Sequence, residues 1–102
     1  GLIPATISPY VLQRIGPSHA TRYFLTGERF HAPRAQQIGL LHEVADDLEG
    51  LDAWRTRLEG EIRLCAPSAA AASKALIAAV AGQPVTDGLM HETARRLSEQ
   101  RA

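Results

Sequence analysis

Four histidines, one cysteine and a short acidic run are the side chains with the reactivity to do chemistry, and their spacing limits what they can do together. His19, His31, His42 and His91 are dispersed along the chain, and no two flank a glutamate at the helical spacing that zinc hydrolases use. Cys65 stands alone, so a structural zinc site built from thiolates and imidazoles has too few ligands, and no metal site is expected. Glu43, Asp46, Asp47 and Glu49 form an acidic cluster. Magnesium there would need oxygen ligands converging from elsewhere, and a solvated turn between two elements is the simpler reading. The serine elbow, the lysine-bearing phosphate loop and the glycine-rich dinucleotide turn are all missing. Spacing alone therefore yields no mechanism.

The elements that would carry these residues are mostly helical. Ser8-Pro9 reads as a helix start, with the serine oxygen as cap and proline in the first turn. Val11, Leu12 and Ile15 share a face, and Gly16 stops the helix. A second helix opens at Pro17 or Ser18, carries Ala20, Tyr23, Phe24 and Leu25, and stops at Gly27. A short strand is predicted at Glu28 to Phe30. Pro33 opens a short helix through Ala35 and Ile38, closed by Gly39, and Leu40 to Ala45 reads as a buried strand. A long helix is predicted from Leu51 or Asp52, with Leu51, Trp54, Leu58, Ile62 and Cys65 as one buried stripe. Cys65 reads as a small buried hydrophobe. Pro67 starts a further helix that turns Ala70, Ser73, Leu76, Ile77 and Val80 inward and ends at Gly82 and Pro84. The last helix runs from Asp87 to Ala102, with Leu89, Met90, Thr93, Ala94 and Leu97 on one face and Glu92 placed to pair with Arg96.

Composition bounds the function. The chain has 102 residues, enough for one small domain, with 45% hydrophobic residues to supply a core. Eleven basic residues balance eleven acidic ones, which lacks the positive surplus that general nucleic-acid binding requires. No apolar run is long enough to span a bilayer, and the first residues lack the basic segment of a signal peptide. The expectation is a soluble cytoplasmic protein that binds neither nucleic acid nor membrane. The chain opens on Gly1 and closes at Ala102 with no stop signal, and two short strands cannot form a sheet of their own. These features lead us to expect part of a larger fold.

One continuous segment is more informative. Phe24-Leu25-Thr26-Gly27-Glu28 leads into Ala32, Ala35 and Ile38, then Gly39-Leu40-Leu41 and Val44. This pattern resembles a characteristic segment of the crotonase superfamily, the enoyl-CoA hydratases and isomerases. Gly1-Leu2-Ile3-Pro4-Ala5 resembles that family's glycine-to-proline turn at the right distance upstream. Ile7-Ser8-Pro9-Tyr10-Val11 looks most like the methylglutaconyl-CoA hydratase branch. Arg34 stands where many relatives carry an acid, so any local ion pair must differ here.

The resemblance implies a fold class: mostly α with two short strands here, as part of the α/β crotonase fold. Residues 1–45 would form the end of the crotonase core and residues 46–102 a C-terminal helical region. It also implies the addition of water across the α,β double bond of an acyl-CoA. Close alternatives are an enoyl-CoA isomerase or acyl-CoA hydrolase, and a non-enzymatic oligomerisation module is the reading from another class. The oxyanion hole and two glutamates of the family reaction are expected before Gly1, and a final helical segment after Ala102. By resemblance, Ala5 helps position the attacking water through its backbone N–H, while Pro4 and Thr6 sit beside the acyl pocket. No cofactor is implied, since coenzyme A belongs to the substrate, and the implied assembly is a homo-trimer or hexamer.

Overall fold

A computed structural model of the chain describes residues 1–101, so the missing stop signal read at Ala102 lies outside the described residues. Five helices follow in order: α1 Ser8–Thr26, α2 Ala32–Gln37, α3 Leu48–Arg63, α4 Pro67–Val80 and α5 Asp87–Arg101. Two compact units divide the chain, Gly1–Leu51 and the residues from Asp52 onward.

In the first unit the glycine punctuation is as the sequence predicts. α1 is two helices joined by a kink at Gly16, whose φ of 78° and ψ of 166° no helix contains, and Pro17 begins the second half. Gly27 closes α1 in the left-handed region, with its N–H donating to the Tyr23 carbonyl at 3.0 Å. Gly39, at φ 90°, follows α2. Its N–H donates to the Gln36 carbonyl and the Leu40 N–H to the Ala35 carbonyl, the paired bonds of a Schellman motif. An added Cβ at Gly39 would meet the Arg14 carbonyl at 3.1 Å, so glycine also lets α2's end pass close to α1. The Arg14 guanidinium fastens the same junction by donating to the Leu40 carbonyl at 3.1 Å.

Ile15, Ala20, Tyr23 and Ile38 form the core of this unit, with Val11, Phe30 and Leu40 packed against it. Ala35 is also buried, whereas Ala32 is exposed. Phe30 leans on Tyr23, ring centroids 4.7 Å apart and planes inclined at 59°. Arg34 is half-buried, and its Nε donates to the Tyr23 hydroxyl at 2.7 Å. Where relatives were expected to place an acid, this chain therefore holds a cation that satisfies a core tyrosine.

Three expectations for this unit are corrected. No strand forms among the described residues. At Glu28 to Phe30 the chain is tied locally, because the Glu28 N–H donates to Thr26 Oγ1 and its carboxylate takes two bonds from Arg22. At Leu40 to Ala45 the Leu40 and Leu41 N–H groups both turn back to the Ala35 carbonyl, which bends the backbone out of the extended form a ladder needs. Leu41 is exposed, so the segment is not buried either. The third correction is at Ser8, which is no side-chain cap. Ile7 holds that position without a side-chain bond, and the Ser8 hydroxyl donates backward to the Ala5 carbonyl.

α3 starts at Leu48, earlier than predicted, because Asp47 precedes it and accepts the Gly50 N–H at 2.7 Å. Its apolar stripe is present but uncovered: Leu51, Leu58 and Ile62 are 49%, 41% and 55% exposed, and only Trp54 is half-buried. Cys65 is exposed rather than buried, in the bend after α3 ends. In the second unit α4 begins at Pro67 and α5 packs against it. Of the residues expected inward, Ala70 and Val80 are half-buried, but Ser73, Leu76 and Ile77 are exposed, Ile77 at 69%; Ala69, Ala72 and Ala79 are half-buried instead. Thr86 caps α5 by accepting the Leu89 N–H at 3.1 Å. Glu92 pairs with Arg96 at 3.2 Å as the spacing predicts, and Arg95 joins both Glu92 and Glu99.

The exposed pair of Arg22 and Glu28 gives a pH prediction. The hydrogen bond from Arg22 holds the Glu28 carboxyl below its ordinary range. A depressed folded value means that the pair's contribution is present above the unfolded carboxylate range and fades as pH falls through the folded value. Arg22→Gln is expected to return Glu28 to the ordinary carboxylate range in an NMR titration.

Candidate functional site

The site residues read from the sequence lie ahead of α1. Residues 1–4 have no regular structure, and a turn at Ala5 to Ile7 feeds the helix. Pro4, Ala5 and Thr6 are neighbours on this turn and all are exposed. The Ala5 carbonyl receives two donors from one residue, the Ser8 N–H at 3.3 Å and the Ser8 hydroxyl at 2.8 Å. Leu2 and Ile3 are 99% and 82% exposed, so the approach to the turn presents apolar side chains with nothing over them.

The turn has backbone polarity but no acid, base or nucleophile of its own. Pro4 has no N–H to offer, which leaves Ala5 and Thr6 as the donors. Such a turn can orient a small polar molecule; it cannot move a proton. The dispersed histidines stay dispersed, and among the described residues no group of three histidine, cysteine, aspartate or glutamate side chains converges to hold a metal ion. In the acidic cluster, Asp47 is engaged at the start of α3, and Glu43 Oε1 accepts from the Val44 N–H and the Gln36 amide. No single described helix is long and apolar enough to cross a membrane.

Two further features escaped the sequence reading. An open apolar groove runs along α1, lined by Leu12, Pro17, Ala20, Thr21, Phe24 and Leu25. Spacing marks Leu12, Ala20, Phe24 and Leu25 as apolar positions of two separate helices, and periodicity does not reveal which part of a face stays uncovered. The second feature is cationic. The guanidinium carbons of Arg22 and Arg34 lie 5.1 and 5.9 Å from the Tyr23 ring centre. Arg22 is neutralised by Glu28 and Arg34 is spent on Tyr23 and Gln37, so the pair acts as scaffold.

The chain is similar to known enzymes over most of its length. It is 38% identical over 76 residues to the enoyl-CoA hydratases AKT6-1 and AFT6-1 of Alternaria alternata, a stretch covering 74% of this chain. The same stretch covers 26% of each relative, so the chain spans about a quarter of the curated relatives it matches. Among solved structures, AtuE of Pseudomonas aeruginosa matches with a TM-score of 0.83 and 36% identity, covering 97% of this chain and 38% of that one. A Legionella pneumophila protein described as an enoyl-CoA hydratase/isomerase (crotonase) matches with a TM-score of 0.78 and 35% identity, covering 100% of this chain and 39% of that one. No protein-family model matches the sequence.

Proposed function

This chain belongs to the crotonase superfamily of enoyl-CoA hydratases and isomerases, and from that membership we propose that it forms the helical part of an enoyl-CoA hydratase. The observation that carries the reading is the 38% identity to two enoyl-CoA hydratases, together with a backbone similar along the whole chain to that of the Legionella protein described as an enoyl-CoA hydratase/isomerase (crotonase). The reaction adds water across the α,β double bond of an acyl-CoA: hydroxyl bonds to the β-carbon, and a proton to the α-carbon.

In this proposal the Ala5 N–H donates to the attacking water and holds it, while Pro4 and Thr6 border the acyl group. Proton transfer falls to glutamates outside this chain, and the developing thioester enolate to an oxyanion hole of backbone N–H groups, also outside it. The chain alone is therefore expected to show no turnover on crotonyl-CoA. The Ile7-Ser8-Pro9-Tyr10-Val11 segment favours a branched glutaconyl-type substrate, and the working assembly is proposed to be a homo-trimer or hexamer. The test is a chimera. This chain replaces its matching segment in AKT6-1, and the folded product is assayed for hydration of crotonyl-CoA and methylglutaconyl-CoA. Hydration is expected; a folded chimera inactive on every enoyl-CoA would refute the proposal.

One observation favours a second reading, a non-enzymatic oligomerisation module. The stripe of Leu51, Leu58 and Ile62 on α3 is uncovered and could meet a partner. Gel filtration of the 102-residue chain separates the two. A stable folded oligomer supports the module, whereas aggregation or unfolding supports the hydratase reading.

A further inference from the structure

We draw no further inference here: the strongest candidate, the open apolar groove along α1 lined by Leu12, Pro17, Ala20, Thr21, Phe24 and Leu25, is an unpartnered apolar face, and nothing in the structure shows what covers it.

Discussion

Tyr23→Ala, made in the AKT6-1 chimera, is expected to unfold the Gly1–Leu51 unit, seen as loss of its cooperative transition in chemical denaturation. The buried set there is small: Ile15, Ala20, Tyr23, Ala35 and Ile38. Tyr23 is its only aromatic member, and it also supports Phe30 and accepts from Arg34. Truncating a buried aromatic to alanine costs about 3–5 kcal/mol, which is comparable to the whole stability of a unit this short. Tyr23→Phe separates the contributions. It keeps the ring and its contact with Phe30 but leaves Arg34 Nε without its acceptor. A loss of about 1 kcal/mol is expected, with the fold retained.

The second large effect is at Gly39. A side chain there meets two penalties, a positive φ and the Arg14 carbonyl at 3.1 Å. The conformation costs an L-residue about 1–2 kcal/mol, and pushing two backbones apart costs about 1 kcal/mol more. Gly39→Ala is therefore expected to destabilise the unit by about 2–3 kcal/mol. Gly27→Ala is the control. Gly27 also has positive φ, but an added Cβ there has open space around it, so only the conformational part should appear. Equal losses at the two glycines would show that the close approach to Arg14 contributes nothing.

These two positions also show what the sequence makes legible. Gly16, Gly27 and Gly39 could be read as stops because the permitted backbone of glycine belongs to the residue itself. The pairing of Glu92 with Arg96 was legible because helical spacing brings them together without help from any other element. The start of α3 was hidden by ambiguity of type: Asp47 is both part of an acidic cluster and a good helix cap, and the capping role prevails. The two strands failed for another reason. An extended run becomes a strand only beside a partner, and here the backbone donors of Leu40 and Leu41 are taken by the end of α2. The α3 stripe shows the same limit. Its spacing tells which residues share a face; it does not tell what covers them, and Leu51, Leu58 and Ile62 stand open.

The candidate site was legible only in part. No spacing of reactive side chains points to Pro4, Ala5 and Thr6, which came from resemblance alone. A site built from backbone N–H groups leaves little trace in residue types, since any non-proline residue can donate. The bond from Ser8 to Ala5 was masked by the usual role of serine at a helix start, where its oxygen accepts from backbone N–H groups; here the hydroxyl donates backward.

The most direct test of the account is to run the AKT6-1 chimera in water enriched in oxygen-18 and examine the product by mass spectrometry. Hydration places the solvent oxygen on the β-carbon, and the expected product is a labelled 3-hydroxyacyl-CoA. An unlabelled acyl-CoA with a shifted double bond would identify an isomerase instead, and free coenzyme A with a labelled carboxylic acid a hydrolase. Either result would contradict the assignment of this chain to an enoyl-CoA hydratase.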